Sequence, residues 1–297
     1  MDSQVARKLI EKCFPQLKVR HSSQIVTGWE NLVLEVNREY IFRFPKYKET
    51  ENRLRREIAF LPPLRTQVPV KLPDYEFVWK GGPKYPHWFG GYRKISGVTV
   101  QSLPLRKEWT RPLAAQIARF LKELHRIRFR GIRFSSIPGY SPEEWYRSIR
   151  LQYRRVRRIV YPLLDTRLRE RSEEFWQNLL SEFRDSSFEP TLIHGDLGTE
   201  NILFEPASVK LTGILDWGYM QISDPALEFA HLFMHKPELG EEVLKQYRMR
   251  TSAFEKRVQW YVDSEPFYDI MWGIDHHWDK ARKLGLGRLP KTLKDYR

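Results

Sequence analysis

The chain has 297 residues, 41% hydrophobic, 14% aromatic and 30% charged, the composition of a folded globular protein long enough to bury its own core. Its single cysteine, Cys13, excludes an intrachain disulfide, and no stretch approaches the roughly 20 apolar residues that cross a bilayer. The formal charge of +14 raises a nucleic-acid reading, with its densest source at Arg147, Arg150, Arg154, Arg155, Arg157 and Arg158. Without zinc-finger spacing or an RNA-binding signature, a solvated helix face explains those arginines, and nucleic acid is disfavoured as a partner. The opening residues mix Asp2, Arg7, Lys8 and Glu11 with short apolar pieces, unlike a signal peptide, so cytoplasmic residence without a membrane partner is the default expectation.

Val5, Leu9 and Cys13 recur at helical spacing and predict a short opening helix. Residues 30–45 then alternate with period two about the turn formers Asn37, Arg38 and Glu39, which predicts a hairpin. Residues 48–61 return to helical periodicity, with Leu54, Ile58 and Leu61 on one face and Glu57 at its edge, until Pro62 and Pro63 stop the helix. Residues 68–79 and 88–95 supply further strands around a turn at 80–86. From Pro112 onward helices dominate: Leu113, Ile117, Phe120, Leu121 and Leu124 form an apolar stripe, and 143–160 and 168–183 read as two more. After Pro190, short strands at 202–204 and 211–215 flank a turn, and helices resume at 226–233. The whole is α+β, with an N-terminal lobe over 1–95 that ends in a hinge before Gly97, and a larger helical lobe over 96–297.

The densest chemistry lies in Ile193-His194-Gly195-Asp196-Leu197-Gly198-Thr199-Glu200-Asn201-Ile202, followed by Ile214-Leu215-Asp216-Trp217-Gly218. A hairpin between the two segments joins a carboxamide and a carboxylate, hard oxygen ligands suited to a divalent ion that also holds nucleotide phosphates. Asp196, separate from that pair, is suited to orient an acceptor hydroxyl and accept its proton. The four-residue interval between His231 and His235 is that of a satisfied pair near a helix surface; with His276 and His277 it makes no convincing metal set, which disfavours a zinc enzyme.

These segments closely resemble the catalytic core of the aminoglycoside phosphotransferase and choline kinase superfamily, which has a protein-kinase-like, two-lobed fold. The resemblance implies that Asp196 is the catalytic aspartate, that Asn201 and Asp216 hold Mg2+, and that His194 supports the loop. Thr27-Gly28-Trp29-Glu30-Asn31, Tyr40-Ile41-Phe42-Arg43-Phe44-Pro45 and Arg56-Glu57 look most like the aminoglycoside 2''-phosphotransferase branch. The first segment corresponds to the loop that covers the nucleotide: Gly28 permits close backbone approach and Asn31 orders the turn. Arg43 stands where the family has a lysine that pairs with the helix glutamate, here Glu57, and touches phosphate; the rigid guanidinium fork gives that contact a different geometry. Gly198 also departs from the pattern, since many members carry a bulkier polar residue there. The resemblance further places Tyr92 at the back of the nucleotide pocket, gives base binding to the backbone of Arg93 and Ile95, and makes Asp224 a support for the metal segment. Acceptor residues would lie near the C-terminus, where Asp263, Glu265, Asp269 and Asp275 are interleaved with aromatic side chains. The implied activity is transfer of the γ-phosphate of ATP or GTP to a hydroxyl of a small molecule, foremost an aminoglycoside 2''-hydroxyl. The alternatives are a kinase for a macrolide or another metabolite, and a nucleotide- or nucleic-acid-binding protein without transfer activity.

Overall fold

The computed structural model describes residues 1–25, 30–127, 137–185, 187–247 and 251–294. The chain begins with α1 (Ser3–Cys13), β1 (Ser22–Ile25), β2 (Asn31–Val36), β3 (Tyr40–Pro45), α2 (Lys48–Leu64), β4 (Tyr75–Gly82) and β5 (Tyr85–Arg93). It continues through β6 (Val98–Thr99), α3 (Lys107–Arg126), α4 (Pro142–Ile159), α5 (Thr166–Asp185), β7 (Thr191–Ile193), β8 (Ile202–Glu205), β9 (Lys210–Ile214) and β10 (Gln221–Ser223). The last elements are α6 (Leu227–His235), α7 (Pro237–Gln246), α8 (Ser252–Asp275) and α9 (Asp279–Thr292). Two compact units result, Met1–Ile137 with Thr199–Met220, and Pro138–Gly198 with Gln221–Arg297.

In the first unit an antiparallel sheet runs in the order β1-β2-β3-β5-β4. Strand β2 shows the alternation its sequence predicts, with Leu32, Leu34 and Val36 buried and their neighbours half-buried. They join Ala6, Ile10, Phe14, Phe42, Phe44 and Phe89 in one apolar cluster, where the Phe44 and Phe89 rings stack at 4.5 Å. The β2–β3 turn places Asn37 and Arg38 at φ of 56° and 59°, the positive-φ turn whose twist matches paired strands. A second, smaller sheet has the order β6-β8-β9. Gly97, at φ 122°, lies so near this sheet that a Cβ would stand 2.9 Å from the Phe204 carbonyl oxygen, so the chain turns there only as glycine.

Three local expectations shift. The opening helix buries Ala6, Ile10 and Cys13 and leaves Val5 exposed, a stripe turned by one residue. Helix α2 continues through Pro62 and Pro63 to Leu64; both prolines fall in its last turn, and the buried Leu61 and Leu64 hold that turn against the core. The strand expected from residue 68 starts only at Tyr75, because Pro69 and Pro73 lack the N–H that a ladder needs.

The second unit is mainly helical. Ser141 and Glu144 cap α4 reciprocally, with Pro142 in its first turn, and Phe175, Trp176 and Phe267 pack where α5 meets α8. Strands β7 and β10 pair antiparallel, Ile193 opposite Gln221. Just beyond β10, Asp224 accepts the Ala226 N–H at 3.0 Å, Arg257 Nε at 2.7 Å and the Tyr261 hydroxyl at 2.9 Å. Trp145 Nε1 donates in turn to that hydroxyl at 2.6 Å. Asp224 thus fixes the turn that enters α6 and ties α8 and α4 to it. On the arginine-rich helix, Arg147 faces Glu143 at 3.6 Å, Arg157 faces Glu173 at 3.9 Å, and Arg155 Nη2 donates to both oxygens of Asp275. No helix among the described residues is long and apolar enough to cross a membrane.

Candidate active site

The proposed metal pair is built by backbone register. Ile202 of β8 faces Ile214 of β9, and one rung further the Leu215 N–H donates to the Asn201 carbonyl at 2.8 Å. Asn201 and Asp216 therefore emerge at the same end of the ribbon. Asp216 sits in the left-handed region at φ 58° and ψ 69°, a conformation that costs a non-glycine residue about 1–2 kcal/mol. The following turn is pinned by the fully buried Trp217, whose Nε1–H donates to the Ile214 carbonyl at 3.2 Å.

Strand β3 and helix α2 bring charge to this turn. Arg43 divides its fork, Nη1 donating to Glu57 Oε2 and Nη2 to Asp216 Oδ1, both at 2.8 Å. Tyr75 donates to Glu57 Oε1 at 3.0 Å, so Glu57, with no exposed surface, is held from two sides. Burial pushes the Glu57 carboxyl up, and Arg43 opposes that shift. Burial also works against the Arg43 cation, but Asp216 and then Glu57 outweigh it and carry the group well above its ordinary value. The guanidinium therefore stays charged between two carboxylates.

A second tie is not legible in the sequence. Arg53 Nη2 donates to Glu30 Oε1 at 2.5 Å, its guanidinium lies 4.5 Å above the Tyr219 ring, and the Tyr219 hydroxyl donates to the same Glu30 oxygen at 2.7 Å. The Asp216 turn is thereby fixed to α2 and to the start of β2. The only advance signal was the helical spacing of Arg53 and Arg56, the latter donating to the Gly218 carbonyl at 3.5 Å.

Gly28 lies outside the described residues. Asn31 opens β2 opposite Pro45, and its buried Oδ1 has no hydrogen-bond partner among the described residues. Tyr92 is buried edge-on to Tyr75 at 5.2 Å, and burial raises its hydroxyl pKa above the ordinary range. Arg93 ends β5 with its side chain on Glu39 at 2.6 Å and the Tyr40 hydroxyl at 3.0 Å. Beyond it the Lys94 N–H donates to the Glu39 carbonyl at 2.8 Å, and Ile95 is buried.

The second unit holds the loop after β7. His194 is fully buried, its N–H donates to Glu228, and its Nδ1 accepts the Asp196 N–H at 3.2 Å, which fixes Nδ1 as the unprotonated nitrogen. Gly195 turns at φ 79°, and the Gly198 N–H returns to the Asp196 carbonyl at 2.9 Å. This small loop leaves the Asp196 carboxylate 30% exposed. Glu228 has no exposed surface; burial raises its carboxyl to about 7 against the pull of the His194 N–H, His231 and the Gly195 N–H. His231, expected to be one of a satisfied pair near a surface, is 24% exposed and stands with Nδ1 3.7 Å from Asp196 Oδ1.

The four C-terminal acids all lie on α8 but do not form one cluster. Asp263 accepts from Gln259 at 2.9 Å, Asp269 from Arg288 at 3.0 Å, and Asp275 from Arg155. Glu265 is buried, and its carboxyl is raised by that burial, with His231 drawing it down and Asp269 adding to the rise. At 100° per residue Glu265 and Asp269 share a face, whereas Asp263 and Asp275 point elsewhere.

The donor chemistry fits magnesium. Asn201 and Asp216 supply oxygen atoms at one ribbon end, and no group of three or more His, Cys, Asp or Glu placed for a metal occurs among the described residues. Two protein oxygens without a full cage suit an ion that completes its octahedron from phosphates and water.

Fold and site together define a class: a two-lobed, protein-kinase-like α+β fold with a β-rich N-terminal and a helical C-terminal lobe. The model of the phosphotransferase enzyme family matches residues 21–260, and the chain belongs to that family. Among solved structures, the GDP and kanamycin complex of APH(2'')-IIIa aligns with a TM-score of 0.89 at 25% identity, over 99% of this chain and 100% of the other. Macrolide 2'-phosphotransferase type I shares the fold at a TM-score of 0.75 and 18% identity, over 97% and 96% of the two chains. Viomycin phosphotransferase of Streptomyces vinaceus is 33% identical over 91 residues, which span 30% of each protein and so less than a third of that relative's length.

Proposed function

We propose that the chain is a magnesium-dependent O-phosphotransferase that moves the γ-phosphate of ATP or GTP to a hydroxyl of a small molecule, foremost an aminoglycoside 2''-hydroxyl. The observation that carries this reading is the placement of Asn201 and Asp216 at one end of the β8–β9 ribbon with Arg43 forked between Asp216 and Glu57. Residues 1–95 take the nucleotide role: Gly28 and Asn31 cover the phosphates, Arg43 held by Glu57 contacts them, Tyr92 backs the base, and the backbone of Arg93 and Ile95 binds it. Residues 96–297 take catalysis and the acceptor. Magnesium held by Asn201 and Asp216 supplies neutralisation of the phosphate charge. Asp196, held by His194, orients the acceptor hydroxyl and takes its proton as the new O–P bond forms and the bond to the β-phosphate oxygen breaks. We place the protein in the cytoplasm, the compartment of its nucleoside triphosphate donors.

The aminoglycoside preference is supported by the likeness, over the full length of both chains, to a structure holding GDP and kanamycin. One observation favours testing neutral acceptors as well. Asp269 and Asp275 already pair with Arg288 and Arg155, which leaves less carboxylate charge for a polycation. The test is a screen of aminoglycosides, macrolides and neutral metabolites with magnesium and either nucleotide, read by product mass and by NMR location of the phosphate. Phosphate on an aminoglycoside 2''-oxygen is expected. Site-specific transfer to a macrolide or neutral metabolite, with none to aminoglycosides, overturns the acceptor assignment; no transfer to any acceptor overturns the activity.

A further inference from the structure

His231 occupies a place that its spacing on α6 does not announce. It is three residues after Glu228 on the same helix, so both side chains share a face. That face meets the loop after β7, where Glu228 receives the His194 N–H and His231 Nδ1 lies 3.7 Å from Asp196 Oδ1. From α8 comes Glu265, buried and within electrostatic reach of His231. The charged groups acting at this point are therefore Asp196 from the loop, Glu228 from the same helix and Glu265 from α8, with Asp269 and Arg288 acting on Glu265 from behind. The imidazole stands among three carboxyl groups, and in its protonated form it favours the anionic form of both glutamates.

A separation of 3.7 Å is longer than a hydrogen bond and within ion-pairing range. At that range a protonated imidazole attracts the nearer carboxylate oxygen while leaving it open to accept a proton from elsewhere. Asp196 and His231 are 30% and 24% exposed, so both stand at the surface of the unit and not in its core. His194 Nδ1 accepts the Asp196 N–H and so fixes the backbone of the loop, while His231 Nδ1 faces the carboxylate.

We propose that His231 is the positioning residue of Asp196, its ring holding the carboxylate in the ionised form and in the orientation that receives the acceptor proton. This rests on the reading of Asp196 as the base. Helix α6 thereby performs two tasks one turn apart: Glu228 holds the loop backbone and His231 steers the loop's reactive side chain.

The test compares His231→Gln, His231→Lys and Asp196→Asn in the full chain, with the acceptor found by the screen above. His231→Gln is expected to lower kcat about tenfold with little change in nucleotide KM, and to move the acidic limb of the kcat–pH profile upward by about one unit, as loss of a neighbouring cation requires. His231→Lys, which restores the charge, is expected to return that limb toward its parental position. A merely structural role would lower Tm in both variants and leave the limb unmoved, and that result overturns the proposal, as does a parental kcat and pH profile in His231→Gln. Should Asp196→Asn keep parental turnover, the base assignment fails and the proposal with it. An inactive Asp196→Asn beside an unaltered His231→Gln removes His231 alone.

Discussion

Each unit buries an arginine against carboxylate and tyrosine, and the two networks end differently. In the second unit Arg257, Tyr261 and Trp145 close around Asp224, whose side chain has no exposed surface. In the first unit Arg43, Tyr75 and Glu57 are bound just as tightly, but the network runs outward to Asp216, whose side chain is 40% exposed and whose backbone is left-handed. A polar network that closes on itself fixes helices in place. One that ends on an exposed carboxylate in a rare backbone conformation holds a reactive group ready for a ligand. The closed network should therefore fail as stability and the open one as activity.

The largest effect is expected at Asp224. Asp224→Ala leaves the Arg257 cation buried without its partner and removes the acceptor of the Ala226 N–H in the turn that enters α6, a loss of about 3–5 kcal/mol. Denaturant titration checks it; a change below about 1 kcal/mol would mean that the closed network carries little of the fold.

Glu228→Gln follows, and its sign depends on pH. The folded carboxyl is raised to about 7 from the ordinary 4.5, so the unfolded chain releases this proton first as pH rises. Stability from this group is full below pH 4.5 and falls between 4.5 and about 7. Glutamine has no proton to lose and still accepts the His194 N–H. The variant should match the parent near pH 4.5 and exceed it by up to about 3 kcal/mol above pH 7, an order-of-magnitude figure from the shift. Urea unfolding at pH 5, 6, 7 and 8 measures the divergence, and parallel curves would refute it.

Asp216→Asn tests the open end. It keeps the shape of the side chain and loses the charge, so Tm should fall by only a few degrees while kcat/KM drops by about 100-fold or more, roughly 2.7 kcal/mol in the barrier. Calorimetric titration with Mg-nucleotide should show the affinity lost in Asp216→Asn and retained in Asp196→Asn, since the two acids are assigned different tasks. Equal affinities would erase that division.

What the sequence discloses about these sites follows the range of the interactions. His194, Asp196 and Asn201 lie within eight residues, and Asn201 and Asp216 flank the β8–β9 hairpin, so residue order alone indicates the first loop and the pairing of Asn201 with Asp216. The Arg43–Glu57 pair crosses a strand and the helix after it, a range that alternation and helical spacing cover. Nothing local predicts that the same guanidinium reaches Asp216, 173 residues away, or that Arg53 joins Glu30 to Tyr219. The His231–Asp196 approach is hidden for a similar reason: helical spacing fixes which residues share a face and says nothing of what that face meets. On α8, acids two, four and six residues apart look like a cluster in one dimension, and rotation of the helix spreads them onto different sides.

Arg43→Lys is the smallest change and separates the two halves of the open network. A guanidinium serves Glu57 and Asp216 through different nitrogens, while an ammonium is a point charge on a shorter reach and favours one carboxylate. Glu57 is the fully buried partner and costs more to leave unpaired, so lysine should stay with it and release Asp216 Oδ1. Loss of the second contact frees the left-handed turn to move, and kcat/KM is expected to fall about tenfold. The same substitution in an Asp216→Asn background should cost less, because the contact it breaks is already weakened. A double-mutant cycle on kcat/KM reads the difference as a coupling of about 0.5–1.5 kcal/mol. Additive losses would show that Arg43 acts on phosphate alone, and the network would then close at Glu57 as its counterpart closes at Asp224.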